Sequence, residues 1–351
     1  MDASRRYFLK ALGGTLALSL TDLSAVAANE LTPGRFASPI NIIMPRDYRP
    51  AVHYRDGNYR ARLTRAILDL LETHYGTQTL PVWQQRFGAI DLEKRVSNIL
   101  YWMLIAVREY ESVYPVDPAW AMAQIMKESY FYEFAVSRSL AVGICQFIQP
   151  TAESYGMLCA GTRPEHRGPA YAMNEHAGRA ADYYELRRER NSYRRRARPA
   201  REYNVNELLE MVSDGASGAQ REAARKQLAY LQKRDEYYQT ELRYRDQFRD
   251  YLRANVRGRD IFNDRDLQFI LGFDERFTYK KPVLGMIKML ANALVSRNGN
   301  ILAATIAYNA GLSSTRDGGM YARYGKIPSI RESTTYLSHV LINHHEMVSR
   351  L

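Results

Sequence analysis

A candidate for chemistry in this 351-residue chain is Glu128, which taken alone reads either as a general acid or as a solvated charge at a helix end. It follows an apolar helical stretch containing Trp120, Met122, Ile125 and Met126, and it precedes Ser129, Tyr130 and Phe131. A carboxyl group leaving such a helix among aromatic rings is partly dehydrated. Dehydration raises its pKa and keeps the proton on, which a general acid requires. Two neighbouring acids read differently: Asp117 before Pro118 is a helix cap with proline at the first helical position, and Glu133 is a solvated loop charge. Cys145 and Cys159 are either bridged or two small buried thiols. His339, His344, His345 and Glu346 lack the i, i+4 histidine pair with glutamate of a zincin helix. They read as surface residues, and no metal or cofactor is expected.

A core must hold these groups in place. The composition, 46% hydrophobic and 25% charged, is that of a globular chain and excludes a mostly disordered one. The longest apolar run outside the N-terminus, Ile99 to Val107, stops at Arg108, well short of the roughly 18 residues of a membrane span. Leu63, Ile67, Leu70 and Leu71 recur at helical spacing, a second helix is expected from about Asp91 to Tyr110, and a third from Ala119 to about Ser129. Residues 135–147, with Gly143, suit a short strand or hairpin, and Pro150 opens another helix. From about Gly161 the texture changes. Arg187, Arg188, Arg190, Arg194, Arg195, Arg196, Arg198 and Arg201 crowd into one short run. Beyond the turn cluster Asp214–Gly218, Gln220 to Val256 reads as one long helix, an arm of a helical hairpin, with the sparse apolar stripe Leu228, Leu231, Tyr238, Leu242 and Leu252. Core texture returns after Gly272 with Val283, Leu284, Ile287, Leu290 and Leu294. The fold is expected to be mainly α.

The formal net charge of +11 favours an anionic partner: nucleic acid, anionic membrane or wall polymer. Arg5 and Arg6 before Phe8-Leu9-Lys10, the weakly apolar stretch Ala11 to Leu20 and the small residues Ala25 to Ala28 form a secretory signal over residues 1–28. It resembles a twin-arginine export signal, which is an address and not an anchor. Export to the periplasm makes nucleic acid a poor partner.

Glu128-Ser129 is followed by Ala135-Val136-Ser137, by Gly143-Ile144-Cys145-Gln146 and by Pro150-Thr151-Ala152. Far downstream stand Ala307-Tyr308-Asn309-Ala310-Gly311 and Glu332 with Tyr336. This order of words resembles the lytic transglycosylases of the soluble-lytic (SLT, goose-lysozyme-like) family. The resemblance covers about 115–160 and 273–340. Ile144-Cys145 replaces the family's Leu-Met, and a further family word is reduced to Gly285, with Lys281 and Lys288 at two of its positions. The resemblance implies a lysozyme-like α+β catalytic domain with a short β-hairpin, in which Glu128 is the single acid and base. It implies that Gln146 grips an acetamido or hydroxyl group and that Tyr308 covers the reacting sugar while Asn309 braces the loop. Ser137 then orients Glu128 or caps a turn, and Glu332 and Tyr336 line the groove.

The expected organisation is a signal peptide (1–28), an N-terminal arm and helices (29–112), a catalytic domain in two pieces (113–160 and 266–351), and a charged helical insertion (161–265) forming a separately mobile lobe. The leading function is cleavage of peptidoglycan glycan strands between MurNAc and GlcNAc with 1,6-anhydromuramoyl ends, the insertion meeting the wall or a cell-envelope protein. A lysozyme- or chitinase-type hydrolase and a non-catalytic wall-binding scaffold of a secretion machine are the alternatives.

Overall fold

The computed structural model describes residues 42–46, 56–320 and 322–351; the expected export signal (1–28) and most of the expected N-terminal arm lie outside them. Helix α1 (Tyr59–Tyr75) buries Leu63, Ile67, Leu70 and Leu71, the residues its spacing singled out. A two-residue antiparallel ribbon, β1 (Thr79–Leu80) and β2 (Gln85–Arg86), pairs Thr79 with Arg86 and Leu80 with Gln85. Helix α2 (Leu92–Tyr110) is capped by Asp91, whose carboxylate accepts from the Lys94 N–H. Helix α3 (Pro118–Ser129) starts where Asp117 accepts from the Ala119 N–H, and nearly all of its surface is buried. Tyr130 ends it in the left-handed conformation, with φ 50°.

The expected hairpin over 135–147 is a pair of bridges, Val136 to Val142 and Val142 to Phe147. Its tip needs glycine. At Gly143 φ is 77°, and a Cβ there would lie 1.8 Å from the Arg276 carbonyl oxygen. The short helix α4 (Gln149–Ser154) follows.

The insertion folds as a helical hairpin. Helix α5 (Arg179–Ala197) runs antiparallel to the long α7 (Gly218–Val256), with α6 (Val205–Ser213) between them near the tip. Arg190 pairs with Glu241 at 2.8 Å, and Tyr193 stacks on Tyr230. At 39 residues, α7 is about 58 Å long. The apolar stripe expected on it faces inward only in part: Leu252 is buried and Leu231 and Leu242 are half-buried, whereas Leu228 and Tyr238 are exposed, and the rest of the buried face is Gln227, Tyr230, Glu241, Phe248, Tyr251, Asn255 and Val256. Tyrosine and amide side chains fill the seam because they bury a ring or stem while their polar ends find partners. Nor is the insertion detached at its base. Phe248, Tyr251, Leu252 and Val256 share a core cluster with Val136, Leu140 and Val142 of the bridged hairpin and with Phe273 and Phe277.

The chain returns through α8 (Asp264–Phe273), α9 (Lys280–Ser296), α10 (Ile301–Ala310) and α11 (Arg331–Ser349). The main core forms where α2 packs on α1 and α9, and where α3 packs on α11. Helix α3 is thus enclosed by segments from both ends of the chain. Trp120, fully buried, donates from its indole N–H to Thr305 of α10 at 3.1 Å.

Candidate active site

Glu128 occupies the last turn of α3, and its Oε1 accepts a hydrogen bond from the Tyr336 hydroxyl of α11 at 2.6 Å. Burial raises its pKa to about 7, against the smaller opposing pulls of the Tyr336 hydrogen bond and Lys127. A carboxyl group so tuned is protonated in half its copies near neutral pH and can both give and take a proton. Tyr336, expected to line a groove, is instead a buried partner of the acid.

Ser129 anchors the end of α3. Its hydroxyl donates to the Ile144 carbonyl at 2.9 Å, which ties the acid's helix to the turn carrying Cys145 and Gln146. From the other side, the Tyr308 hydroxyl donates to the Cys145 carbonyl at 2.6 Å. The N-terminal helical region reaches the same place: the Trp83 indole donates to the Tyr130 carbonyl at 2.8 Å, and the Tyr75 and Tyr130 hydroxyls lie 3.0 Å apart.

The remaining candidates divide. Gln146 turns its amide N–H₂ onto its own loop, donating to Gly143 O at 2.8 Å, so in this structure that half of the side chain braces the turn. Ser137 caps a turn, its hydroxyl oxygen accepting from the Ala141 N–H, and makes no recorded bond to Glu128. Asn309 is exposed at the end of α10, and Glu332 is exposed in the first turn of α11, where a carboxylate favours the helix dipole.

Two expectations are corrected, and the two cysteines follow one of their two alternatives. Glu133 is not solvated: it is fully buried and held by the Arg95 guanidinium, whose Nε lies 3.0 and 3.1 Å from its two oxygens. His344 is not on the surface: its Nε2 lies 2.9 Å from Asp117 Oδ2 inside the protein. Cys145 and Cys159 are free thiols, each buried, with Cys159 directed at the Met157 carbonyl. Burial pushes the pKa of both thiols up, away from the reactive thiolate.

Other residues that shape the site left no motif. Arg276, fully buried, grips Asp274 with Nε and Nη2 at 2.9 and 2.7 Å and donates to the carbonyls of Leu140 and Phe147 at either end of the turn. Asp274 in turn accepts from the Ala160 N–H. The one available signal was an Asp-Glu-Arg run just after the apolar end of α8. A cleft of about 480 Å³ opens beside α4, lined by Glu153, Met157, Arg163, Glu275 and Lys281. Lys281, at a position where the family word is lost, is committed to Glu275 at 2.6 Å.

Residues 105–180 match the family model of the transglycosylase SLT domain. This stretch is similar to the transglycosylase SLT domain. No curated protein and no solved structure matches the chain. The matched stretch holds Glu128, Ser137 and Gln146, and it runs past residue 160 into the first residues of α5. The mainly helical, lysozyme-like fold agrees with it. The transglycosylase SLT domain acts on peptidoglycan, so the substrate class lies in the cell wall and the place of action outside the cytoplasm. Among the described residues no helix is long and apolar enough to cross a membrane.

Proposed function

We propose that the chain is a lytic transglycosylase that cleaves the β-1,4 bond between MurNAc and GlcNAc and leaves 1,6-anhydromuramoyl ends. The observation that carries this reading is Glu128, a half-buried residue whose dehydrated carboxyl group has a pKa near 7 and a tyrosine hydroxyl on one oxygen. Protonated Glu128 gives its proton to the glycosidic oxygen as the bond to the muramoyl C1 breaks. The resulting carboxylate then removes the proton from the same sugar's 6-hydroxyl as O6 bonds to C1. The 1,6-anhydro ring closes and Glu128 regains its proton, so no water is consumed.

A retaining hydrolase needs a second carboxylate roughly 5 Å from the first. The two nearest in sequence are engaged: Glu133 is neutralised by Arg95, and Asp117 caps α3 and holds His344. This favours the substrate's own hydroxyl as nucleophile. Mass spectrometry of digested sacculi tests it. Anhydro ends, one water lighter than reducing ends, are expected; reducing ends alone would make the protein a hydrolase.

Within this reading, residues 1–28 direct export through the twin-arginine pathway to the periplasm. Replacing Arg5 and Arg6 together by Lys is expected to leave unprocessed precursor in the cytoplasm, and normal processing of that variant would argue for a general secretory signal. The hairpin of α5 to α7 serves wall capture or docking to an envelope protein, through its exposed arginines.

A further inference from the structure

Helix α3 contains one buried polar side chain that the proposed mechanism leaves unused. Gln124 is fully buried among Trp120, Ala121, Ala123 and Ile125, one turn before Glu128. Neither its Nε2 nor its Oε1 closes a hydrogen bond of good geometry. An unpaired amide in a core is destabilising, and a residue needed only to fill space there would be apolar. The group on which its amide acts is the Tyr336 hydroxyl, whose pKa it draws down against the larger effect of burial, as a nearby donor does.

We infer that Gln124 is a positioning residue for the acid, its buried amide fixing the direction in which the Tyr336 hydroxyl points. The inference rests on Glu128 being the acid. A tyrosine hydroxyl carries one proton and can accept others. When the Gln124 N–H₂ occupies its acceptor side, its own proton is directed to Glu128 Oε1, where the 2.6 Å contact lies. Glu128 must then carry its acidic proton on Oε2, the oxygen that Tyr336 leaves free. Without the amide, the hydroxyl can rotate and accept the Glu128 proton, and the acid is then turned inward, away from a glycosidic oxygen. An amide does not titrate, so the arrangement is the same while Glu128 acts as acid and while it acts as base.

The other titratable groups facing this pair are few. Lys127, Cys145 and Tyr308 act on Glu128, and Tyr308 also acts on Tyr336. His339 is a neighbour of Lys127. None of them supplies the donor that Tyr336 needs on its acceptor side.

The test compares Gln124→Met, which keeps the length and removes the amide, in the wild-type and Tyr336→Phe backgrounds. Gln124→Leu serves as a second apolar replacement. Steady-state kinetics on soluble glycan chains across pH are read beside an NMR titration of the Glu128 carboxyl carbon in the full-length protein. In the wild-type background, kcat should fall about 2- to 10-fold, the worth of one hydrogen bond, with KM unchanged. The Glu128 pKa, and with it the alkaline limb of the profile, should move up, because the freed hydroxyl can now accept from the neutral acid while it still donates to the carboxylate. In the Tyr336→Phe background the same replacement should change neither. Equal effects in the two backgrounds, or a loss of thermal stability with the Glu128 titration unmoved, would reduce Gln124 to packing. Full activity of Glu128→Gln is a separate outcome: it removes the proposed acid itself, and this inference falls with it.

Discussion

The acid's surroundings and the arginine-rich hairpin hold charge in opposite ways. Around α3 four carboxylates are buried or half-buried, each with a fixed partner: Glu128 with Tyr336, Glu133 with Arg95, Asp117 with His344, Asp274 with Arg276. Along the hairpin, Arg188, Arg194, Arg195 and Arg196 stand in solvent, and Arg198–Glu202 and Arg201–Glu207 are exposed pairs. Only Arg190, half-buried on Glu241, resembles the core pattern. Breaking a buried pair strands a charge in a medium that solvates it poorly, whereas exposed pairs contribute little and are screened by salt. The buried set therefore fixes geometry, and the exposed set supplies a field that reaches outward to anionic material.

The sharpest way to break this contrast is at the acid. Glu128→Gln keeps the shape and removes the ionisable proton, and activity on peptidoglycan should fall about 10²- to 10⁴-fold. Dye release from labelled sacculi measures it, and residual activity above about a hundredth of wild type would move the acid elsewhere.

The next effect tests geometry without touching the acid. Asp274→Ala leaves the fully buried Arg276 guanidinium unpaired and should cost about 3–5 kcal/mol of stability, read from urea unfolding. A loss below 1 kcal/mol, about what an exposed pair is worth, would erase the distinction between the two regions.

A smaller effect follows from the pH dependence of Glu128. Its folded pKa of about 7 lies above that of an unfolded glutamate, near 4.3. Between those values the folded state binds more protons, so this group's contribution to stability falls as pH rises and is constant above about 7. Glu128→Gln should therefore melt at a higher temperature than wild type at pH above about 7 and lose that advantage below about 4. An advantage independent of pH would remove the burial account of its pKa.

The smallest effect on chemistry is expected from the hairpin. Replacing the eight arginines from Arg187 to Arg201 by glutamine should weaken sacculus binding and flatten its salt dependence. Turnover on a short soluble glycan should change little. Lost turnover with binding intact would place the hairpin in the active site and merge the two regions.

Several features of the fold and site were legible because their causes are local. The helical spacing of Leu63 to Leu71, the Asp117-Pro118 start and the length of the helix ending at Val256 follow from side-chain periodicity and capping. The order of short words around Glu128 was legible for the same reason. The inner face of α7 was not, because its seam is built from Tyr230, Tyr251, Gln227 and Asn255, which hydropathy does not mark. Glu133 and His344 were misread for a related reason: a titratable side chain is buried or solvated according to whether a partner arrives from elsewhere. Arg95 comes from 38 positions away, and Asp117 from 227.

The sequence by itself determined the helices around Leu63 to Leu71, from Leu92 to Tyr110, from Pro118 to Ser129 and up to Val256, the place of Glu128 in the last turn of its helix, and the charged segment between the words before Ala160 and those after Phe273. Tertiary structure alone decided that Tyr336, 208 positions from Glu128, supplies the hydrogen bond on its carboxylate, and that Trp83 and Tyr75 clamp the residue where its helix ends. It also set how far burial raises the Glu128 pKa, to about 7, where the sequence pointed only to the direction. The physical reason is that desolvation and partner geometry are properties of a packed environment: they come from every segment that closes around a group, and no window of neighbouring residues contains them.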